Sequence, residues 1–339
     1  MIKIIITTFL FVGIACAQAA SYPLCMYGVN DAKYIKTIKK AGFNCIQTYS
    51  QDLDLLNTLA QEAKKHDVKM LIYPYTIIKN NLQTEAAKWP ILAFYIYDEP
   101  DVSRLSWREL KKLNDKTKSA FPDHKTAVVV GKGSHADNYC KSADILMVDW
   151  YPVPHLDLNS FGEQISEAKK IMIKSKTGDK PLWGVVQAFD WREYKQYRPD
   201  DQRIGRFPTA EEMSFMAYHG LIEGAEGLFF FIFTSNSVPL PESKPEHWRR
   251  VKTTAKEIQK NLPIFEEGEL LPAPGKTSAN ILAQRRLYKG YYYDFLLNPS
   301  DVQEPLPEEF KQKTYKTLYR AKTETLAPRS VMILRSKAK

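Results

Sequence analysis

Four consecutive residues, Tyr97-Asp98-Glu99-Pro100, hold the pair of side chains best suited to proton chemistry in this chain. A carboxyl whose pKa is raised keeps its proton near neutrality and can deliver it to a leaving oxygen. Asp98 beside Glu99 favours this, because two adjacent negative charges oppose double ionisation. The competing reading is a surface turn ahead of a helix, where acidic residues also suit the helix N-terminus. Further along, Asp149-Trp150-Tyr151 and Gln187-Ala-Phe-Asp190-Trp191 repeat the mixture of polar and aromatic side chains. Asp149 is a candidate general base, and its alternative is a residue that holds Tyr151 or an arginine. His155 and His219 have no assignable partner and read as structural. The chain contains no CxxC or HExxH pattern, and Val29-Asn30-Asp31 does not resemble GxGxxG, so neither a metal nor an organic cofactor is implied.

These residues need a scaffold that brings them to one place. Eight short apolar runs alternate with stretches of mostly helical pattern: 24–29, 44–49, 69–73, 92–97, 126–130, 145–149, 182–187 and 228–233. Most are continuous rather than alternating, as strands buried on both faces must be in a parallel sheet. Between them, 31–41 ends at Gly42, 52–66 shows an apolar face of Leu53, Leu56, Leu59, Ala60 and Ala63, and Thr209-Ala-Glu-Glu212 forms a capping box. Helices are also expected over 103–121, 160–174 and 246–262, with weak ones near 80–88 and 135–141. Eight β-α alternations predict an α/β fold, a (β/α)8 TIM barrel over 21–263. After Pro263 the pattern becomes loop-like over 264–275. Short alternating runs follow at 281–286, 291–298, 316–319 and 330–334. They predict a small C-terminal antiparallel β domain over 264–339, sandwich-like and packed on the barrel.

In such a barrel the active site lies at the C-terminal ends of the strands. Asp98, Glu99, Asp149, Trp150, Tyr151, Gln187 and Trp191 fall there, together with Tyr49 and Tyr75. The rim is aromatic and acidic. Aromatic faces stack on the C–H faces of sugar rings and carboxylates bond hydroxyls, whereas a phosphate site would show Gly, Lys and Ser. Here the chain resembles the clan A glycoside hydrolases, TIM barrels whose fourth strand ends in Asn-Glu-Pro. The likeness is carried by Ile91-Leu-Ala-Phe-Tyr-Ile-Tyr-Asp-Glu-Pro100, Ala143-Asp-Ile-Leu-Met-Val-Asp-Trp-Tyr-Pro152, and Phe207-Pro-Thr-Ala-Glu-Glu-Met-Ser-Phe-Met216 leading to Gly224-Ala-Glu-Gly-Leu-Phe-Phe-Phe231.

The resemblance implies hydrolysis of a glycosidic bond with Glu99 as general acid. It also implies a second catalytic Glu at the end of strand seven, where this chain has Gln187, and an Asn where it has Asp98. An amide is a very poor nucleophile, so the strand-seven nucleophile is missing. Strands four and six, two spacings apart, stand about 9–10 Å from each other, which suits the roughly 6.5–9.5 Å of an inverting pair, Glu99 with Asp149. On this reading Asp98 tunes Glu99, Gln187 bonds the sugar, and Tyr49, Tyr75, Trp150, Tyr151 and Trp191 form its platform. The partner is an oligosaccharide or polysaccharide. An anionic one is allowed by the arginines of the 190–208 loop, Arg192, Arg198, Arg203 and Arg206. A different class, a non-catalytic carbohydrate-binding barrel, is favoured by Gln187 and disfavoured by the intact Asp98-Glu99-Pro100.

The ends of the chain carry separate signals. Lys3, the apolar run 4–15 and Ala17-Gln18-Ala19 read as a signal peptide over 1–20, and the protein is expected to be secreted or periplasmic. A lipoprotein anchored through Cys16 fits less well, because Gly13 stands where that motif needs a branched aliphatic residue. No later segment is apolar enough to span a membrane. Of the net charge of +9, residues 305–339 contribute +6, from nine basic and three acidic side chains. No nucleic-acid motif accompanies them. At 44% apolar and 26% charged, the 339 residues describe a globular protein rather than a disordered or fibrous one. Past the signal only Cys25, Cys45 and Cys140 remain. A Cys25–Cys45 bridge is conceivable, but an odd count gives no complete framework, and all three read as small buried hydrophobes.

Overall fold

The computed structural model describes residues 22–194, 205–274, 280–312, 314–319 and 323–338. The signal segment with Cys16 lies outside them, as do Tyr197, Arg198 and Arg203. Eight parallel strands close into a barrel in sequence order: β1 (Leu24–Met26), β2 (Cys45–Gln47), β3 (Lys69–Ile72), β4 (Ile91–Asp98), β5 (Thr126–Val130), β6 (Ile145–Asp149), β7 (Leu182–Gln187) and β8 (Leu228–Phe231). All eight expected strands are present, and β8 pairs with β1 to close the ring.

The helices are α1 (Ile35–Lys40), α2 (Leu53–Lys65), α3 (Tyr75–Lys79), α4 (Gln83–Ala86), α5 (Trp107–Ala120), α6 (Ala136–Tyr139), α7 (Ser160–Lys174), α8 (Ala210–Ile222), α9 (Leu240–Ser243) and α10 (Pro245–Glu267). Their starts follow from local chemistry. Asp52 accepts from the backbone of Leu55 at the head of α2, and Ser106–Glu109 and Thr209–Glu212 form full capping boxes on α5 and α8. The stretches of weak helical pattern become the short α4 and α6, and α3 precedes the first of them.

Alternation along each strand divides the core in two. Cys25, Tyr27, Leu71, Tyr95, Val129, Met147, Trp183, Val185 and Phe229 fill the barrel interior, while Met26, Ile46, Phe94, Val128, Val148, Val186 and Phe230 face the helices. Cys25 and Cys45 are direct partners in the β1–β2 register, with Cα atoms 4.5 Å apart, and a disulfide joins them. The expectation of three free cysteines therefore holds only for buried Cys140. Register between strands 20 residues apart in sequence is a tertiary fact that spacing alone does not reveal.

Beyond the barrel, β11 (Glu269–Leu271), β12 (Leu282–Tyr288), β13 (Tyr291–Asn298), β15 (Lys316–Thr317) and β17 (Ser330–Lys337) form an antiparallel sheet in the order β11-β12-β13-β17-β15. One face of it packs on the barrel through Phe295, Leu297, Val331 and Ile333. The other covers a small cluster of Ile281, Leu296, Leu306, Phe310, Leu326 and Leu334. The helix expected to stop at Leu262 continues to Glu267 with Pro263 inside it, and β11 follows where a loop was expected. Ile264 and Phe265 are buried, the Phe265 ring lying 4.4 Å from Phe295, and this packing carries the helix past the proline.

Candidate active site

Strand β4 delivers the acidic residues, and an irregularity in it decides how. Against β5 its register shifts between Tyr95 and Tyr97, so one residue of β4 is left over. Tyr95 points into the barrel, Ile96 and Tyr97 pack on the helix side, and Asp98 faces inward again. Strict alternation would have turned Asp98 away from the site. Tyr95 donates to Asp98 Oδ1 at 2.5 Å. Glu99 then takes a left-handed backbone, φ +46°, a sparsely occupied conformation for a side chain of its size. Asp101 folds back beneath: its Oδ1 accepts from Gly131 N at 3.1 Å and its Oδ2 pairs with His135 Nδ1 at 2.8 Å.

Asp149, the last residue of β6, is 8% exposed and meets Glu99 directly in a carboxyl–carboxyl hydrogen bond. Tyr151 donates to its Oδ2 at 3.2 Å. A hydrogen bond between two carboxyls requires a proton on one of them. Burial first, then the charges of Glu99 and Asp98, hold Asp149 well above the ordinary carboxylate range. Glu99 is raised by burial and by Asp98, an effect that the bond from Asp149 opposes. Asp98, open to the cleft but walled by protein below, is raised by desolvation against the pull of Tyr95.

Glu99 and Asp149, expected as an acid–base pair, border the same cleft. Gly131 follows the end of β5, and a Cβ there would lie 3.2 Å from Val102 Cγ2 and 3.4 Å from Glu99 Oε1.

A two-lobed cleft opens above the pair. One lobe, about 440 Å³, lies among Glu99, Asp149, Val102, His135, Trp150 and Leu156. The other, about 320 Å³, is walled by Tyr49, Asp98, Phe189, Tyr194 and Phe231. Glu99, Asp149, Val102, Tyr151 and Trp191 border both. Tyr151 stacks on Phe231 at 5.5 Å, and Phe189 and Trp191 stand edge-on to it. Tyr49, Trp150, Tyr151 and Trp191 all line this cleft.

Two other expectations are corrected. Tyr75 is not on the cleft wall: it stacks behind Tyr73, and its hydroxyl donates to the Ile96 carbonyl. Burial pushes its pKa up to about 12. Gln187 is fully buried and clamps the loop after β6. Its amide accepts from Val153 N at 2.8 Å and donates to Val153 O at 2.7 Å and Phe189 O at 3.2 Å. Nothing of that amide is left for a sugar. Of the loop arginines, Arg192 bonds Asp190 and Arg206 bonds Glu212, so these two already have anionic partners. His219 is buried, its pKa pushed down to about 4 by desolvation, and His155 is exposed.

Sequence reasoning passed over Phe231, Asp101 and His135. Phe231 ends β8 and the end-of-strand rule would have found it. The Asp101–His135 pair joins segments 34 residues apart and left no local signal.

The comparisons place this architecture among known folds. An α-amylase from Geobacillus thermoleovorans complexed with acarbose aligns at TM-score 0.56 and 11% identity, over 94% of this chain and 98% of that one. AmyP in complex with maltose aligns at 0.55 and 7%, over 93% and 97%. A GH30 endoxylanase from Clostridium papyrosolvens aligns at 0.51 and 10%, over 94% and 98%. The chain has the fold of these glycoside hydrolases, an eight-stranded parallel barrel; at such identities the likeness concerns the fold alone. No protein-family model matches the chain, and no curated protein matches it.

Proposed function

We propose that this protein is a glycoside hydrolase in which Glu99, sharing a proton with Asp149, protonates the leaving oxygen of a glycosidic bond. The observation that carries this reading is the buried pair itself. Two hydrogen-bonded carboxyls whose pKa values are raised by burial and by each other's charge, at the mouth of a barrel and under an aromatic cleft, suit a proton donor. Asp98, on the same wall, sets a negative charge beside the positive charge that develops on the sugar ring. Tyr49, Tyr151, Trp191, Phe189 and Phe231 offer faces for sugar rings, and the neighbours' ligands, acarbose and maltose, are oligosaccharides.

The decisive experiment incubates the mature chain, from Ser21 onward, with a panel of neutral and anionic oligosaccharides and polysaccharides. Proton NMR follows new anomeric signals, with Glu99→Gln alongside. Cleavage by the wild type, lowered about 10²–10⁴-fold in the variant, is the expected result. No cleavage of any member, with line broadening that survives in Glu99→Gln, overturns it in favour of a non-catalytic carbohydrate-binding barrel. That second reading draws on Gln187, whose amide stands where a nucleophile is needed. It leaves unexplained why a binder would bury two carboxyls that, among the described residues, form no ion pair.

The same reading includes export, with removal of residues 1–20. The apolar run 4–15 and Ala17-Gln18-Ala19 support it, and a disulfide suits an oxidising compartment. N-terminal sequencing of the protein recovered from the cell envelope tests this. A start at Ala20 or Ser21 is expected, and a lipidated Cys16 would replace it with membrane anchoring.

A further inference from the structure

Hydrolysis that inverts the sugar needs a base for the attacking water, and Asp149, which hydrogen-bonds Glu99 and accepts from Tyr151, is already engaged with the acid. Asp98 sits beside Glu99 on the same strand, held by Tyr95, and Gln187 has no free group. We propose that His135, oriented by Asp101, is the base that activates water in this cleft. The inference rests on the glycosidase reading above.

Four observations carry it. Asp101 has a side chain only 3% exposed, yet both its oxygens are engaged, Oδ1 by Gly131 N and Oδ2 by His135 Nδ1. This is the arrangement in which a buried carboxylate fixes an imidazole's tautomer: the proton sits on Nδ1 and the lone pair is on Nε2. The imidazole is not itself buried, being 40% exposed, and it lines the same lobe as Glu99 and Asp149. Between them stands Gly131. A Cβ there would lie 3.2 Å from Val102 Cγ2, 3.4 Å from Glu99 Oε1 and 3.7 Å from Asp101 Oδ2, so Gly131 stands next to both the acid and the carboxylate that holds the imidazole.

In the step this assigns, the water oxygen bonds to the anomeric carbon as the glycosidic C–O bond breaks. The water's proton goes to His135 Nε2, and the proton shared by Glu99 and Asp149 goes to the departing oxygen. The products are a hemiacetal of inverted configuration and an alcohol. The imidazolium then returns its proton to solvent, and the carboxyl pair takes one up.

The test uses the mature chain and two glycosides of whichever sugar the panel identifies, one with an alkyl and one with a dinitrophenyl leaving group. Loss of an acid spares the dinitrophenyl substrate, because that group departs unprotonated. Loss of a base spares neither. His135→Gln is therefore expected to lower kcat about 10²–10⁴-fold on both, with its thermal midpoint kept. Glu99→Gln should fail on the alkyl glycoside alone. Asp101→Asn, a positioning variant, should follow the His135 pattern at about 10–100-fold. Azide, a nucleophile that needs no base, should rescue His135→Ala and give the inverted glycosyl azide. Wild-type kcat in His135→Gln, or a product of retained configuration, overturns the inference while leaving the glycosidase reading standing. A wild type that hydrolyses nothing defeats both.

Discussion

Asp294 in the C-terminal sheet and Asp149 at the barrel mouth are both buried carboxyls, and they differ in what faces them. Asp294 lies directly opposite Arg285 across the β12–β13 ladder and is held by two hydrogen bonds, of 2.7 and 2.8 Å. Burial pushes its pKa up and the guanidinium opposes that. The same arginine also donates to Tyr315. Asp149 faces Glu99, with Asp98 beyond, and no Lys or Arg among the described residues forms an ion pair with any of the three. One arrangement compensates a buried charge and fixes a sheet. The other leaves the charge uncompensated, so that a proton stays bound where it can be transferred. Stability and reactivity are therefore assigned to different carboxyls, and variants should separate them.

The largest stability effect should come from Asp294→Ala. It strands a buried guanidinium, and a loss of about 3–5 kcal/mol in urea unfolding is expected, with kcat of the folded fraction unchanged. A smaller loss, about 1–3 kcal/mol, is expected for Gln187→Glu, which sets a carboxylate against the carbonyls of Val153 and Phe189. If Gln187 instead stood in a working nucleophile position, the added carboxylate would raise turnover, and that outcome would overturn its structural role. Asp149→Asn should reverse the sign: removing a buried like charge raises stability on the order of 1 kcal/mol at neutral pH, while kcat falls.

The smallest effect is a slope. Asp149 and Glu99 have folded-state pKa values above those of the unfolded chain. The folded protein therefore binds more protons than the unfolded one in that range, and the pair's stability contribution, complete in acid, is lost as pH rises through the folded values. Urea midpoints measured from acid to neutral pH should fall less steeply in Asp149→Asn than in the wild type. Equal slopes would mean that the pair shares no proton.

Much of this molecule was legible before folding. The bounds of β5, β6 and β7 match the apolar runs residue for residue, because strands buried on both faces admit no polar interruption and end where turn residues begin. Placing Asp98, Glu99, Asp149, Tyr151 and Trp191 at one rim needed only the rule that strand ends converge. Where reading by pattern failed, the cause was non-local. Pro263 suggested a helix end, but Phe295, from a strand some thirty residues on, holds the helix through it. Gln187 looked like a sugar contact until the loop after β6 was seen to occupy its amide.

Local chemistry, written residue by residue, thus determined the eight strands, the capped helices, the β domain and the acidic and aromatic character of the rim. Only the tertiary structure decided that a bulge in β4 turns Asp98 inward and that Glu99 and Asp149 border one cleft. It alone joined Cys25 to Cys45 and Asp101 to His135. Periodicity and caps depend on neighbours within a few positions, which any sequence displays. Contacts between strands depend on register and on which side chains are absent, and these exist only once the barrel has closed.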